Sequence, residues 1–377
     1  MNRILYTILS VFLLLPLNAQ NKNSLPKWQE GYLDIHVMAT AEGEATYMVF
    51  PDGTSMLVDA SGIEGEDVSR YIQKFSEGTP SEGRLDYVIL THFHVDHMGG
   101  IKTVGEQMEI GKLLDRGWPS YDFPSAEYVR EVSGGFIDDY RKLVDGQGVA
   151  CERFDVGKAD QIVCVKNNEK YRDIFRVVNL GANGESWTGN GTKKQVNYKG
   201  NPADIEENAF SCSMRVDYGK FRYYTGGDLT GGWWGMTPED NPKERDFESP
   251  IASVCGPVTA MKLNHHGWKD SSNAFFIQTL SPEVVFISSA DKTCPQYFTL
   301  KRVMDKMICQ SEMEVFCTTD AAKELNPKPS HFIERMNAIG HLVIRVYEEG
   351  KKYQVFVMQN NDSGCPVIYK SKVKESK

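Results

Sequence analysis

The chain has 377 residues, a formal net charge of −9 and 41% hydrophobic residues, a composition typical of a soluble globular protein. Its length suits one large domain or two of ordinary size. The excess of acidic over basic residues argues against sequence-independent binding of long nucleic acids, because such binding depends on lysine and arginine neutralising phosphates. No stable nucleic-acid binding is therefore expected.

The first residues carry the pattern of a secretory signal peptide. Arg3 supplies the positive charge, residues 4–17 form a short apolar run, and Ala19 ends a small-residue cleavage context. We therefore predict a signal peptide over residues 1–19 and a secreted or periplasmic protein, with an uncleaved membrane anchor as the alternative. No cysteine lies near the cleavage point, which argues against a lipoprotein, and no later apolar stretch is long enough to span a membrane.

The eight cysteines are an even number in a chain expected to be exported, which leaves disulfides open without fixing any pairing. They are scattered between Cys151 and Cys365 and lack the CxxC spacing. A zinc site built from cysteines is therefore not expected.

Alternating apolar residues predict short strands in the first part of the expected domain, which runs from residue 20 to residue 366. A turn at Pro51-Asp52-Gly53 separates two of these strands. The last strand leads directly into the motif HFHVDHMGG, and a helix is expected after its paired glycines. The predicted strands cover 32–38, 46–50, 55–58 and 86–91, and a helix covers 68–75.

Residues 111–200 interrupt this pattern and are predicted to form an insertion over or beside the site, with helices at 125–132 and 136–144. Several aromatic residues could line a pocket or simply pack in the core: Trp118, Tyr121, Trp187, Trp233 and Trp234. Later strands are predicted at 212–218, 220–225, 260–263, 284–288, 341–348 and 352–358, with a helix over 296–309. Residues 367–377, with lysines at 370, 372, 374 and 377, are interpreted as a solvated basic C-terminal tail.

A cluster of metal-binding residue types lies at the end of the strand 86–91. His92 and His94 are two positions apart, so in extended backbone both imidazoles face the same way and can converge on one ion. Asp96 and His97 follow where the chain turns and offer an oxygen and a nitrogen to a second ion. Imidazole with carboxylate suits zinc, manganese or iron. A purely structural histidine cluster is the alternative, but crowded imidazoles repel when protonated and need partners when buried.

The run THFHVDHMGG resembles the HxHxDH signature of the metallo-β-lactamase superfamily, whose members share a four-layer αββα sandwich of the α/β (α+β) class. Three further motifs follow the order of that family: LVDAS, YYTGGD and MKLNHHGWKDSS. The resemblance implies that Asp59 orients the metal loop, that Asp228 bridges the metals, and that His265 or His266 supplies the last ligand. Strand alternation argues against both histidines binding the same ion.

Within the superfamily the chain is similar to the extracellular domain of the DNA-uptake competence protein and to phosphorylcholine esterase. Asn208 and Ser211 match the Asn-x-x-Ser that precedes the bridging aspartate in that branch, and Ser271 follows the HHG motif as a further candidate substrate contact. Two features depart from the branch. The segment ATAEGEA at 39–45 replaces a more acidic, glycine-rich turn, and Cys294-Pro295 stands in place of His-Pro.

The positions of the histidines restrict which reactions the site could catalyse. All eight lie at 36, 92, 94, 97, 265, 266, 331 and 341, so none lies between Met98 and Gly227. In the superfamily that the chain resembles, true β-lactamases and many lactonases take an additional ligand histidine from the corresponding stretch. This chain has no histidine there, which argues against β-lactam hydrolysis and would leave more open coordination positions on one metal ion.

The combined prediction is a secreted hydrolase with two divalent metal ions, zinc first and Mn²⁺ or Fe²⁺ as alternatives, acting on phosphodiester or phosphoester bonds. Asp96, Asp228 and Asp59 are the predicted catalytic residues, and metal-activated water is the predicted nucleophile. Hydrolysis of lactones, carboxylic esters or amides is the first alternative. An iron-dependent redox enzyme of the same fold and a non-catalytic metal-binding protein are the others.

Overall fold

The computed structural model describes residues 23–63, 65–194, 206–232, 245–289, 291–308, 312–324, 331–361 and 364–377. The predicted signal peptide, Trp233 and Trp234 lie outside these residues. Along the described parts of the chain, no helix has both the length and the apolar character needed to cross a membrane. No disulfide joins the seven cysteines in those parts, five of which are buried.

Short strands make up most of the regular structure. The strands are Leu33–Val37 (β1), Thr46–Val49 (β2), Ser55–Val58 (β3), Arg84–Leu90 (β4), Glu109–Asp115 (β5), Ala150–Arg153 (β6), Phe175–Ala182 (β7), Glu185–Trp187 (β8), Thr192–Lys194 (β9), Ser213–Tyr218 (β10), Phe221–Thr225 (β11), Ala260–Lys262 (β12), Val284–Ile287 (β13), Glu314–Cys317 (β14), His341–Tyr347 (β15), Lys352–Met358 (β16), Val367–Lys370 (β17) and Lys374–Glu375 (β18).

The helices are short and lie between the strands. They are Gly65–Ser76 (α1), Val95–Met98 (α2), Ile101–Gln107 (α3), Ala126–Val132 (α4), Phe136–Gln147 (α5), Asn168–Tyr171 (α6), Glu248–Cys255 (α7), Ala274–Leu280 (α8) and Tyr297–Met304 (α9). The amphipathic patterns that predicted α1, α4, α5 and α9 from the sequence are confirmed, with ends shifted by a few residues.

The strands form two sheets. The first has the order β17-β16-β15-β1-β2-β3-β4-β5-β6, with β18 also paired to β16, and the second has the order β14-β13-β12-β11-β10-β7-β8-β9. Strands β3 to β6 are parallel to one another, as are β11 to β14. Loops that follow neighbouring parallel strands meet at one edge of their sheet.

Three apolar clusters define four layers. One contains residues of both sheets, such as Ile35, Met56, Val216 and Phe286, and is the core of the sandwich. A second packs α1, α3, α4 and α5 on the outer face of the first sheet, and a third packs α7, α8 and α9 on the second. The predicted four-layer αββα sandwich is therefore confirmed, because each sheet is covered by the other on one face and by helices on the other.

Two expectations from the sequence are wrong. The described part of the predicted insertion, residues 111–194, belongs to the sandwich itself, because β5 and β6 extend the first sheet and β7 to β9 extend the second. Strand β5 carries glutamate and lysine at exposed or half-buried positions, and β7 is buried along most of its length, so neither shows simple alternation. The two helices predicted in this region are α4 and α5.

The basic tail differs from a free solvated end in being part of the first sheet, although three of its four lysines are exposed. Strands β17 and β18 pair with β16, Lys374 forms an ion pair with Glu314 of β14, and Lys377 forms one with Glu283, which precedes β13. Two of the four lysines therefore pair with carboxylates at the edge of the sandwich.

His341, at the start of β15, gives a prediction about acid stability. It is buried and accepts the Ala39 N–H through Nδ1 at 3.0 Å, and burial, with a smaller contribution from His36, lowers its pKa to about 4. Because the unfolded state then binds a proton more readily, the unfolding free energy should fall as the pH decreases from about 6.5 towards 4, by up to about 3 kcal/mol. Denaturant titrations of metal-free protein between pH 7 and 4 measure this, and His341→Gln should flatten the profile. An unchanged profile in that variant would contradict the assignment.

Candidate metal centre

The predicted ligands come together at one edge of the sandwich because each follows a strand of a parallel pair. Asp59 follows β3 and the run from His92 to His97 follows β4, while Asp228 comes after β11 and His266 after β12. The two sheets thus contribute one half of the site each. Gly43, with φ of +69°, allows the β1–β2 loop to approach closely, since a Cβ there would overlap the carbonyl of Asp96.

Four side chains present their ligand atoms to one point. The Nε2 atoms of His97 and His266 are 3.3 Å apart, and each is 3.3 Å from Asp228 Oδ2. Asp96 Oδ2 lies 3.3 Å from His266 Nε2 and 3.7 Å from His97 Nε2. Four ligands at about 2.0–2.2 Å from one ion in a tetrahedron are separated by roughly 3.3–3.6 Å. The donor set and its spacing therefore fit a divalent ion such as zinc.

The hydrogen bonds of the two histidines support the same interpretation. His97 Nδ1 lies 2.8 Å from Asp59 Oδ2, and His266 Nδ1 lies 3.0 Å from the Ser288 carbonyl oxygen. Both partners can only accept, so Nδ1 donates in each ring and the neutral imidazole carries its lone pair on Nε2. Two such lone pairs facing each other require a proton or a metal ion between them.

His92 and His94 form a second pair of donors beside this group. Their Nε2 and Nδ1 atoms, respectively, are 3.1 Å apart. Thr91 Oγ1 donates to Asp59 Oδ2 at 2.7 Å and therefore accepts from His92 Nδ1 at 3.1 Å. Asp59 thus sets the tautomer of His97 directly and that of His92 through Thr91, so that both direct a lone pair into the site.

Asp228 belongs to the four-donor group through one oxygen and leaves its other oxygen without a partner in the described part of the chain. Its Oδ2 faces His97 and His266, whereas its Oδ1 is buried and has no hydrogen-bond partner among the described residues. A buried carboxylate oxygen without a partner is costly, and a cation would satisfy it. The Asp228 backbone is held in turn by its N–H, which donates to Ser211 Oγ at 3.2 Å.

Without an ion, the cluster needs protons to balance its carboxylates. Burial alone would lower the pKa of His97 and His266, but Asp228 and Asp96 raise both well above the usual histidine value. Burial would raise the pKa of Asp228, but His266 and His97 lower it well below the usual value. Burial holds the pKa of His92 and His94 below the usual range. The centre therefore demands positive charge, and metal binding would release protons.

The structure distinguishes the two histidines of the HHG motif. His265 Nδ1 donates to Asp270 Oδ1 at 2.8 Å, and its Nε2 accepts from the Asn208 amide at 3.1 Å. Its lone pair is therefore occupied, and Nε2 is 3.9 Å from Asp228 Oδ2. His266 is the member that joins the four-donor group.

We expect His266→Gln and His265→Gln to separate these roles. The first removes a donor from the tetrahedral group and should weaken binding of one zinc ion by about 10- to 100-fold. The second should leave both ions bound and affect only turnover. Metal content after gel filtration, together with chelator competition, measures both effects. Equal loss of zinc in the two variants would contradict the distinction.

The expected substrate contacts lie behind the site rather than in it. Asn208 and Ser211 are buried and hold His265 and Asp228, as described above. Ser271 is also buried, and its hydroxyl donates to the Asn264 and Trp268 carbonyls. In this structure the three residues support the metal loops, and their contact with substrate stays a prediction.

A cavity of about 340 Å³ opens onto the centre. Asp96, His265 and His266 line it, together with residues that include Glu42, Trp268, Asp291 and Cys294. Of the aromatic residues for which a pocket role and a packing role were both open, Trp118, Tyr121 and Trp187 pack in the outer apolar clusters. Trp268 was not predicted, although it directly follows the HHG motif.

The sequence reasoning also missed two buried ion pairs beside the centre. Lys262 pairs with Glu44 and donates to the Gly227 carbonyl at 2.9 Å, and Arg116 pairs with Glu207. Lys262 and Glu207 lie within or next to the matched motifs, and that position could have indicated a role near the centre. The sequence gives no such indication for Arg116, because it lies in the stretch interpreted as an insertion.

Comparisons with known proteins find similarity to one superfamily. Residues 39–159 match the model of the Metallo-beta-lactamase superfamily. Recombination protein 2 of Haemophilus influenzae is 22% identical over 290 residues, covering 75% of this chain and 27% of the relative. The Beta-lactamase-like protein 2 homolog of Drosophila melanogaster is 33% identical over 66 residues, covering 17% of this chain and 22% of the relative. The chain thus spans about a quarter of the length of the curated relatives it matches.

Solved structures with some similarity include the following two. MEM-A1, a subclass B3 metallo-β-lactamase from a soil metagenome, is 12% identical with a TM-score of 0.36, covering 83% of this chain and 99% of that one. Zn²⁺-bound PqqB from Methylobacterium extorquens is 14% identical with a TM-score of 0.35, covering 62% and 72%.

Proposed function

The chain carries a metallo-β-lactamase superfamily domain, and from this premise we propose that it hydrolyses phosphodiesters or related phosphoesters with two divalent metal ions, most suitably zinc. Asp96, His97, His266 and Asp228 would hold one ion. His92 and His94, with the second oxygen of Asp228, would hold the other.

One observation carries the proposal. The Asp228 carboxylate has one oxygen among three other ligand atoms and the other buried without a partner among the described residues. A structural aspartate would have both oxygens hydrogen-bonded, whereas a carboxylate between two ions requires this arrangement.

The ions, when bound, would supply Lewis-acid polarisation of a phosphoryl oxygen and activation of water. The protein's own residues account for the rest of the mechanism. Asp59 fixes the tautomers of His97 and His92, so the donors need no reorientation. His265 lines the cavity and is oriented by Asp270, and although burial lowers its pKa, Asp228 and Asp270 raise it above the usual value. A protonated His265 would give up the hydrogen bond that its Nε2 accepts from the Asn208 amide and could donate the Nε2 proton to the leaving oxygen.

Phosphoesters are favoured over lactones, carboxylic esters and amides by the histidine count. No histidine between Met98 and Gly227 can add a ligand, so the His92–His94 ion would keep open positions for phosphoryl oxygens. A purely metal-binding role would fit a sealed centre. The cavity above Asp96 and His266 argues against that alternative.

Hydrolysis of a chromogenic phosphodiester tests the proposal. The purified protein is stripped of metal, reloaded with Zn²⁺ or Mn²⁺, and compared with Asp96→Ala and with Asp291→Ala, a carboxylate variant on the cavity wall. We expect turnover that requires metal, is lost in Asp96→Ala and stays within about threefold of wild type in Asp291→Ala. Two bound ions without turnover on phosphoesters, but with turnover on lactones or esters, would overturn the substrate assignment and keep the metal centre.

Export from the cytoplasm is a separate proposal, which rests on Arg3, the apolar residues 4–17 and Ala19. A mature N-terminus near Gln20 in material recovered outside the cytoplasm would support it. Retention of residues 1–19 would contradict it.

A further inference from the structure

We propose that the buried ion pair between Arg116 and Glu207 is a positioning device of the metal centre, which fixes the direction of His92 and His94 by holding the backbone between them. This inference rests on the proposed two-metal function. Neither residue contacts the reacting groups, so both would act through the histidines.

The contact is made at Phe93. Glu207 Oε1 accepts the Phe93 N–H at 2.8 Å and Arg116 Nε at 2.7 Å, while Glu207 Oε2 accepts Arg116 Nη2 at 2.5 Å. The Arg116 guanidinium also lies over the Phe93 ring, 4.4 Å from its centroid. Phe93 is thus held both by its backbone and by its side chain, and it is fully buried.

Holding Phe93 determines where its neighbours point. In extended backbone, successive side chains face opposite ways, so a Phe93 ring fixed towards the interior directs His92 and His94 together to the other side. Their facing nitrogens are 3.1 Å apart, which leaves little tolerance for rotation of the segment. A small change at the Phe93 amide would therefore alter both donors of one ion at once.

Burying the Arg116–Glu207 ion pair costs desolvation free energy, so its presence needs a functional explanation. Both side chains have no exposed surface, and burying two charges stabilises a fold poorly compared with apolar packing. Arg116 is satisfied further by the Phe123 carbonyl at 3.1 Å and Asn183 Oδ1 at 3.3 Å. Through Arg116, Glu207 is thereby anchored to several segments of the chain, and it is the acceptor for one backbone N–H of the metal loop.

The segment that contains Glu207 also reaches the rest of the centre. Asn208, the next residue, contacts His265, and Ser211 accepts the N–H of Asp228. One short turn, Glu207–Phe210, together with the residue that follows it, therefore contacts all three loops that carry the proposed ligands. Arg116 ties that turn to the end of β5.

The test compares two buried ion pairs that differ in their distance from the site. Arg116→Met/Glu207→Leu removes both charges and leaves Phe93 N without its acceptor. Arg345→Met/Asp34→Leu removes a matched pair between β1 and β15, whose side chains are 2% exposed and joined at 2.7 and 2.6 Å. Because each double variant removes both partners, neither leaves an unpaired buried charge. Zinc stoichiometry, chelator competition, the absorption spectrum of the Co²⁺-loaded protein and the Tm are measured on the full chain.

We expect a similar fall in Tm for both variants, but a loss of affinity for one of two zinc ions, by about tenfold or more, and a changed Co²⁺ spectrum only for Arg116→Met/Glu207→Leu. Wild-type affinity in that variant, or an equal loss in the Arg345 control, would overturn the inference while leaving the two-metal proposal intact. A wild-type protein that binds fewer than two ions would instead overturn the proposed function.

A milder variant keeps the inference testable if the double variant does not fold. Glu207→Asp retains a charge for Arg116 but is one methylene too short to reach both Arg116 and Phe93 N in place. It should weaken the same ion severalfold with a small change in Tm, and unchanged zinc binding and an unchanged Co²⁺ spectrum would contradict the positioning role.

Discussion

Asp228→Asn is expected to reduce phosphodiester turnover by roughly 10³-fold or more and to leave fewer than two tightly bound zinc ions. The substitution preserves size but removes the charge that lies 3.3 Å from both His97 and His266. An amide offers one oxygen instead of two, so it cannot supply a charged donor to both ions. Metal content and kcat of the zinc-loaded variant measure the two effects.

The same variant has a second expected result in metal-free protein. Asp228 is the first contributor that raises the pKa of His97 and His266 against burial, so its removal should lower both pKa values. Histidine titration by NMR measures this. Asp217→Asn, a buried aspartate paired with Arg215 on β10, is the control and should change stability without changing metal content or these titrations. Two zinc ions bound with wild-type affinity in Asp228→Asn would rule out the bridging role.

The parts of the site that were predictable are those encoded locally. His92, His94, Asp96 and His97 lie within six residues at a strand end, so strand geometry alone brings their ligand atoms near one another. The strands that lead into them show clear patterns because they are buried apolar runs bounded by turn residues.

The choice between His265 and His266 could not be made locally. Both residues have positive φ, so neither lies in the regular strand to which alternation applies. Their directions are set by Asp270 and by the carbonyl of Ser288, the latter 22 positions further along the chain. Only the folded chain brings that carbonyl to the ring.

The misassigned regions share a different cause. In the region from residue 111 to 200, strand β6 has no fully buried position, and its pattern of residues is that of a sheet margin. Strand β18 consists of a lysine and a glutamate. Edge strands are held by backbone pairing and by charges far away in the sequence, such as Glu283 and Glu314 for the tail. The side-chain periodicity of the strand itself therefore says little about whether it joins the sheet.

Asp59→Asn is expected to weaken both metal sites together, by about 10- to 100-fold in zinc affinity, although Asp59 touches neither ion in the proposed arrangement. Asp59 accepts from His97 Nδ1 at 2.8 Å and from Thr91 Oγ1 at 2.7 Å, both on Oδ2. An asparagine can present its amide N–H at that position, which would favour the tautomer of His97 that protonates Nε2. The lone pair would then lie on the wrong nitrogen for the ion.

Thr91→Val separates the two routes from Asp59. It removes the hydroxyl that accepts from His92 Nδ1 and keeps the direct contact between Asp59 and His97. Because His92 belongs to only one of the two donor groups, Thr91→Val should weaken one ion, whereas Asp59→Asn weakens both. Chelator competition on the zinc-loaded proteins, with Tm of the metal-free forms to monitor folding, measures the difference. If the two variants lost the same single ion, Asp59 would act through His92 alone, and the tautomer argument for His97 would be wrong.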